Sequence, residues 1–242
     1  MLSPNGIRAI FYDLDGTLRT SQPPGRVIFA EHAARLGLIT DAETRRRAAI
    51  WEHQYFAESP ELVRDRQDFQ DDSQAFWLNY CFRQLQILGA SEDQARDLAP
   101  SMTAYMNEHF RPQDVIFDDV YETLRILREH GYFLGLLSNR FEPYTDYLAE
   151  RGLDGFFDLV VHAGQAGIRK PHPAVFHFML QKAGFRPEQS IYIGDNYFAD
   201  VLGARQAGML GVLYDPEGLF ERPDCPVISK HTQILHLLKG NP

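Results

Sequence analysis

Apolar residues recur along this chain in two alternating patterns. Residues 7–12 form a short apolar and aromatic run followed at once by Asp-x-Asp-Gly, which predicts a buried strand that ends in a turn. From about residue 27 to residue 110 the apolar spacing is that of helices, without a convincing strand. This middle segment is predicted to form about four helices, one of them opened by a capping box at Ser91 and Gln94.

Beyond Pro112, short apolar runs alternate with helical segments. Strands are predicted at 132–137, 157–161, 190–193 and 210–214, helices at 119–130, 143–151, 173–183 and 198–207, and a loop at 214–225 before a short C-terminal helix. Such alternation implies a parallel sheet with helices on both faces. The predicted fold is therefore α/β: a doubly wound, Rossmann-like parallel sheet with an all-helical domain inserted into it.

The change of pattern also predicts where the domains begin and end. Residues 1–18 and 115–242 are expected to form the α/β domain, and residues 19–114 the helical insert. The connecting segments 19–26 and 112–118 are expected to act as hinges.

Composition excludes some classes of function. The formal net charge of the 242 residues is −9, which argues against nucleic acid as a partner, because such binding needs clustered lysine and arginine. No apolar run is long enough to span a bilayer, and residues 1–14 do not resemble a secretory signal. With only two cysteines, a disulfide framework is not expected. We therefore expect a cytoplasmic protein that inserts in no membrane, while the oligomeric state is left open.

Carboxylates follow two of the predicted strands. Asp13 and Asp15 lie two residues apart, so in an extended backbone both side chains point the same way, and Gly16 permits the turn that follows. Like charges so close repel unless a cation or proton intervenes. Asp195 and Asp200 follow another strand. Each pair also has an ordinary structural explanation, an Asp-Gly turn for the first and helix capping for the second.

Two further polar motifs are expected at the same edge of the sheet. Ser138 and Asn139 end a predicted strand and can offer hydroxyl, amide and backbone N–H groups to phosphate oxygens. Lys170 precedes Pro171, which keeps the chain extended before the next helix. A lysine among converging carboxylates would neutralise charge and bind a phosphate as a point cation.

Taken in order, these four motifs resemble those of the haloacid dehalogenase superfamily, and specifically its phosphatases. The resemblance covers residues 7–18 and 115–214, nearly the whole α/β portion. It implies that Asp13 is the nucleophile, which attacks phosphorus to give an aspartyl-phosphate. It implies that Asp15 is the general acid that protonates the leaving oxygen, and then the general base that activates water.

The resemblance also implies roles for the other motif residues. Ser138, together with Asn139, corresponds to the phosphate-binding position, and Lys170 to the lysine that orients the phosphate and neutralises charge. Lys170 would thus both bind substrate and belong to the catalytic set with Asp13 and Asp15.

A magnesium ion is implied as the cofactor. Its expected ligands are Asp13, the main-chain carbonyl of Asp15, and Asp195, because hard oxygen ligands suit Mg²⁺. Asp200 would stand behind them and hold Lys170 or a metal-bound water. The histidine pairs lie five residues apart, which is the wrong spacing for two zinc ligands on one helical face.

Three positions qualify the resemblance. The family often has Ser or Thr after the metal-binding aspartate and Asn before the second one, whereas this chain has Asn196 and Ala199. The supporting hydrogen bonds are therefore expected to differ. Arg140 could reach a substrate, but a structural or solvated arginine is the expectation that we favour.

The helical insert lies where this family carries a cap over the active site. The implied partner is a small phosphorylated metabolite, and cap closure would exclude water during the reaction. A phosphomutase of the same fold is the nearest alternative. A metal-free 2-haloacid dehalogenase is less favoured, because it has no use for the carboxylate at position 15, and a non-catalytic regulatory protein would be expected to lose the nucleophile or the lysine.

Overall fold

The computed structural model describes residues 6–239, and within them the chain divides into two compact units. One unit takes its residues from the segments Met1–Thr20 and Ile116–Pro242, and the other is Ser21–Val115. None of the helices in residues 6–239 combines the length and the apolar character that crossing a membrane requires.

The strands form two sheets. Their bounds are β1 Ala9–Tyr12, β2 Arg19–Gln22, β3 Gln113–Ile116, β4 Phe133–Ser138, β5 Leu159–His162, β6 Ser190–Gly194, β7 Leu210–Tyr214 and β8 Val227–Ile228. Six of them form one sheet in the order β5-β4-β1-β6-β7-β8, and every neighbouring pair is parallel. The other two, β2 and β3, form a separate two-stranded sheet.

The insert is helical. Its helices are α1 Gly25–Arg35, α2 Ala42–Phe56, α3 Pro60–Asp68, α4 Ser73–Ile87 and α5 Glu92–His109. The expectation of about four helices was too low, because α3 has nine residues of which only Leu62 and Asp65 are buried. Such a short helix produces little apolar periodicity. The capping box of Ser91 and Gln94 opens α5 as predicted.

Helices cover both faces of the six-stranded sheet. They are α6 Val120–Glu129, α7 Thr145–Glu150, α8 Ala163–Ala166, α9 Pro173–Ala183, α10 Leu202–Gln206 and α11 Ile234–Leu238, with a π-helical turn at Tyr197–Val201 before α10. The side chains of β1 alternate between two apolar clusters: Ile10 and Tyr12 pack with residues of α6 and α7, whereas Ala9 and Phe11 pack with residues of α9 and α10. A sheet buried on both faces is the doubly wound α/β fold, as predicted.

The strand order determines where a ligand can bind. From β1 the sheet grows through β4 and β5 on one side, and then through β6, β7 and β8 on the other. The connections therefore diverge at β1, and the crevice beyond its carboxyl end is the usual ligand site of such sheets. The strands β2, β3 and β8 were not predicted; β8 has only two residues, too few for an alternating pattern.

Candidate active site

Asp13 lies directly beyond the carboxyl end of β1. Its main-chain N–H donates to the carbonyl of Ile193 in β6, 2.9 Å away, so the residue is tied to the neighbouring strand. The side chain is buried. The chain then turns sharply at Gly16, whose φ is +88° and whose N–H donates to the carbonyl of Arg19. This turn keeps the motif at the switch point of the sheet.

The ammonium group of Lys170 contacts Asp13. Its Nζ lies 2.6 Å from Oδ1 of Asp13, 2.6 Å from Oδ1 of Asp200 and 3.0 Å from the hydroxyl of Tyr192. A lysine ammonium has three protons, so all of its donors are used. The side chain is 3% exposed, and the arrangement therefore fixes both the position and the charge of Lys170.

Three buried or half-buried carboxylates meet at this point. Asp13, Asp195 and Asp200 each offer an oxygen, and these oxygens lie within 4.8 Å of one another. The hydroxyl of Thr17 donates to Oδ1 of Asp195 at 3.1 Å and accepts from the N–H of Asp195 at 2.9 Å. Asp200 uses Oδ1 for Lys170 and Oδ2 for the N–H of Asn196. Each carboxylate is thereby held in one orientation.

The electrostatics of this acidic cluster follow from burial. Desolvation raises the pKa of Asp13, and the nearby carboxylates of Asp200 and Asp15 raise it further, against the opposing charge of Lys170. Burial, and then the carboxylates of Asp200 and Asp13, raise the pKa of Asp195 well above its usual value. Burial alone would lower the pKa of Lys170, but Asp13 and Asp200 override it and the pKa is raised. The lysine stays protonated, yet one positive charge does not balance three carboxylates.

The acidic cluster fits a hard divalent cation. All of its donors are carboxylate oxygens, the ligands that Mg²⁺ prefers. A bound cation would stabilise the ionised forms of Asp13 and Asp195, which burial and then the repulsion between the carboxylates disfavour. Both oxygens of Asp200 already accept hydrogen bonds, which suits a supporting position rather than a direct one. The carboxyl group of Asp15 is not part of the cluster, as expected if only its main-chain carbonyl were a ligand.

Asp15 faces two arginines. Nε and Nη2 of Arg140 each donate to one oxygen of Asp15 at 2.8 Å, a bidentate pair, and Nη1 of Arg19 donates to Oδ1 at 2.9 Å. Burial would raise the pKa of Asp15, but the hydrogen bonds and charges of Arg140 and Arg19 outweigh it and lower the pKa. Arg140 also packs over the ring of Tyr147, 4.9 Å from its centroid. The arginine is thus a partner of a motif residue and not a solvated side chain.

Ser138 and Asn139 end β4 beside this cluster. Ser138 is 2% exposed, and its hydroxyl accepts from the N–H of Arg140 at 3.2 Å. The side-chain amide of Asn139 donates to the carbonyl of Lys170 at 3.0 Å and accepts from the N–H of Lys170 at 2.7 Å. This side chain braces the loop that carries Lys170, and substrate binding by Asn139 stays a prediction.

Sequence reasoning gave no role to two residues of the site. Thr17 belongs to the first motif, and Tyr192 lies within an apolar run. For Arg140 the expectation was a structural or solvated side chain, and its pair with Asp15 is structural. The position of Thr17 directly after Gly16 was a usable signal, because a hydroxyl at a turn can bond backbone and side chain alike. The hydroxyl of Tyr192 donates to the carbonyl of Leu137, and no sequence pattern indicates that it also accepts from Lys170.

The departures from the family pattern have a local explanation. The side chain of Asn196 accepts from the N–H groups of Phe198 and Ala199 at 3.1 and 3.0 Å, so it caps the π-helical turn. The residue before Asp200 is therefore not needed as a cap. Gly194 is required beside it, because a Cβ there would lie 2.3 Å from the carboxyl carbon of Asp200.

Comparison with known proteins relates the chain to one family. The model of haloacid dehalogenase-like hydrolases matches residues 7–208. A glyceraldehyde 3-phosphate phosphatase of Methanopyrus kandleri is 29% identical over 210 residues, which cover 85% of this chain and 83% of that protein. A phosphoserine phosphatase of Thermus thermophilus is 28% identical, and the match covers 94% of this chain and 95% of that protein.

The fold is also similar to that of a solved structure. The crystal structure of a 2-haloacid dehalogenase from Pseudomonas syringae pv. Tomato superposes with a TM-score of 0.55 at 27% identity. The superposition covers 96% of this chain and 98% of that chain. The similarity therefore extends over both the sheet-containing unit and the helical insert.

Proposed function

Because the chain belongs to the haloacid dehalogenase-like hydrolases, whose family model matches residues 7–208, we propose that it is a magnesium-dependent phosphomonoesterase working through an aspartyl-phosphate on Asp13. The family and the enzyme class predicted from the four motifs are confirmed by this membership. The observation that carries the finer proposal is the contact of Asp13 with a fully bonded, buried Lys170 inside the acidic cluster.

Asp13 is the proposed nucleophile. Its carboxylate attacks phosphorus, and the bond from phosphorus to the leaving oxygen breaks, so that one substitution is divided into two easier steps. Lys170 holds Oδ1 of Asp13 at 2.6 Å and so keeps the attacking group in one rotamer. Ser138 is buried at the end of the adjacent strand, where its oxygen accepts from the N–H of Arg140, and its hydroxyl proton is proposed to be donated to a phosphate oxygen.

Asp15 is the proposed proton carrier. It donates a proton to the leaving oxygen, and in the second step it takes a proton from the water that attacks the aspartyl-phosphate, which releases inorganic phosphate and restores Asp13. In the structure both oxygens of Asp15 accept from Arg140. The acid role therefore requires Arg140 to release Asp15, and an incoming phosphate dianion is a suitable alternative partner for the guanidinium group.

Asp13, Asp195 and the main-chain carbonyl of Asp15 are the proposed ligands of Mg²⁺. When bound, the ion supplies positive charge that stabilises the transferring phosphoryl group and orients it for attack. Thr17 contributes by holding Asp195 through two hydrogen bonds. Asp200 contributes by holding Lys170.

The proposed substrate is a small phosphorylated metabolite. The curated relatives reported above are named for glyceraldehyde 3-phosphate and phosphoserine, and both compounds are three-carbon phosphomonoesters. We also propose that the segment Ser21–Val115 acts as a cap that selects the leaving group, since helices occupy most of it. A panel of small phosphate esters that includes these two compounds is the natural first screen.

The variant Asp13→Asn tests the mechanism. It removes the nucleophile and preserves the shape of the side chain, so release of phosphate from p-nitrophenyl phosphate should fall by at least about 10³-fold. Asp146→Asn is the matched control, because Asp146 is exposed on α7 and the charge change is the same. Wild-type turnover in Asp13→Asn, in a protein whose circular dichroism is unchanged, would contradict the proposal.

Metal dependence is tested on the wild-type protein. Chelation with EDTA should abolish turnover of p-nitrophenyl phosphate, and excess Mg²⁺ should restore it. Activity that is indifferent to both additions would refute the metal assignment. Chloride release from 2-chloropropionate in the presence of EDTA would instead support the dehalogenase reading that the Pseudomonas relative raises.

A further inference from the structure

The helical insert contains a cavity of its own. Its volume is about 400 Å³, within the range of small-molecule sites, and every lining residue belongs to the segment Ser21–Val115. The wall residues that matter here come from α2, α4, α5 and the segment after α5: Glu52, Phe56, Trp77, Tyr80, Asn107 and Phe110. None of them belongs to the acidic cluster of the candidate active site.

Aromatic rings form much of the wall. The ring of Tyr80 lies 5.5 Å from that of Phe56 and 5.5 Å from that of Trp77, which it meets edge to face. Trp77 is 47% exposed, an uncommon state for the largest apolar side chain. An exposed aromatic beside a formed cavity is typical of a surface that binds something.

Glu52 brings a negative charge into this aromatic wall. It is the only charged side chain among the lining residues in the described part of the insert. One oxygen, Oε1, accepts from the hydroxyl of Tyr80 at 2.9 Å. Burial raises the pKa of Glu52, while Tyr80 and the charge of Arg26, which lies outside the cavity wall, act in the opposite direction. A carboxylate in such surroundings is stabilised by a cationic ligand.

We propose that this cavity binds the ammonium group of a small amine. Aromatic faces attract a cation through their quadrupole, and the carboxylate of Glu52 adds charge complementarity that an anionic or neutral ligand cannot use. The amine can be a free small molecule or the amino-bearing leaving group of a phosphomonoester substrate. Binding of an amine does not depend on the proposed phosphatase activity. The idea that the amine is part of a phosphomonoester substrate does rest on that activity.

Calorimetric titration of the full chain tests the site directly. The probes are choline, its uncharged isostere 3,3-dimethylbutan-1-ol, and the anion 3,3-dimethylbutanoate. Choline should bind at least about tenfold more tightly than the isostere, and the anion should bind more weakly still. Equal affinities for choline and the isostere, or no binding of choline at millimolar concentration, would overturn the proposal.

Variants connect the selectivity to the cavity. Glu52→Gln keeps an acceptor for Tyr80 and should abolish the preference for choline over the isostere, while Trp77→Ala should weaken choline binding several-fold. Leu78→Ala is the matched control, since Leu78 is exposed on the same helix and does not line the cavity. If Glu52→Gln destabilises the fold, Trp77→Ala still tests whether choline binds in this cavity, because substitution of a half-exposed side chain should leave the fold intact. An unchanged preference in folded Glu52→Gln would refute the role of the charge.

Kinetics distinguish the two sources of the amine. If the amine is part of the substrate, kcat/KM for choline phosphate should exceed that for 3,3-dimethylbutyl phosphate about tenfold, and Glu52→Gln should remove the difference. If the amine is a free ligand, the two esters should react alike while choline still binds. Turnover of p-nitrophenyl phosphate is measured in parallel, so that a failure of the phosphatase proposal is seen separately from a failure of the amine site.

Discussion

Gly16 offers a test of how closely the turn after β1 is matched to the acidic cluster. A Cβ at this position would lie 2.3 Å from Oδ2, 2.5 Å from Cγ and 2.7 Å from Oδ1 of Asp195. The backbone is also left-handed there, with φ at +88°. The substitution Gly16→Ala therefore combines backbone strain with displacement of a proposed metal ligand.

The two effects can be separated by a matched glycine. Gly131 has a φ of +78° in the same compact unit, and a Cβ there would meet nothing within 4 Å. Alanine in the left-handed region costs about 1–2 kcal/mol, so both variants should lose roughly that much free energy of unfolding. Only Gly16→Ala should carry the second effect.

The magnitude of the second effect follows from the contacts. Ordinary contact begins at 3.4 Å, so the carboxylate of Asp195 must move by about 1 Å to clear the new methyl group. A misplacement of that size can reduce turnover about 10²-fold, equivalent to about 2.7 kcal/mol of transition-state stabilisation. The Mg²⁺ concentration required for half-maximal activity should rise as well.

The assays are urea unfolding and phosphate release over a Mg²⁺ titration, both on Gly16→Ala and Gly131→Ala. Gly131→Ala should keep the wild-type kcat/KM and Mg²⁺ midpoint despite its lower stability. Activity of Gly16→Ala within about threefold of Gly131→Ala, at an unchanged Mg²⁺ midpoint, would refute the reasoning.

Three further predictions concern groups around the site. Burial lowers the pKa of His231 to about 4, so the stability that the neutral side chain contributes is present above the unfolded pKa near 6.5 and is lost as the pH falls from 6.5 towards 4. In urea unfolding, the difference in free energy of unfolding between wild type and His231→Gln should therefore shrink by on the order of 3 kcal/mol over this pH range. A difference that stays constant with pH would contradict this prediction. Arg140→Gln should raise the pKa of Asp15 in a carboxyl NMR titration, and Arg19→Gln should raise it less, because the hydrogen bonds and charge of Arg140 lower this pKa more than those of Arg19. Tyr192→Phe leaves one donor of Lys170 unbonded and should lower the free energy of unfolding by about 1–3 kcal/mol, whereas Tyr121→Phe, at an exposed tyrosine, should change it little.

Local pattern was enough for most of the sheet. Strands β1, β4, β6 and β7 begin and end within about two residues of their predicted bounds, because a strand buried on both faces is a continuous apolar run that few other structures share. Helix α9 matches its predicted range 173–183, since a proline opens it and a left-handed glycine closes it. The short strands β2, β3 and β8 and the nine-residue helix α3 were not predicted, because each has too few residues to show a hydrophobic period.

Some features of the candidate site could likewise be predicted from the sequence, and others could not. By itself the sequence determined that Asp13, Asp15, Ser138 and Asp195 follow predicted strands, and parallel strands place such residues at one edge of a sheet. Lys170 was predicted in a loop before a helix, and its place in the site came from the resemblance. The pairing of Asp15 with Arg140 could not be predicted from the sequence, since these two residues are 125 positions apart.

Only the tertiary structure decided the remaining contacts of the site. Thr17 and Asp195 are 178 residues apart and meet because β1 and β6 are neighbours in the sheet. Tyr192 reaches Lys170 from that same strand β6. The cavity around Glu52 likewise exists only once α2, α4 and α5 are packed. The physical reason is common to all three: an apolar period specifies which face of an element is buried, but hydrogen bonds between distant side chains depend on the order and register in which the elements pack.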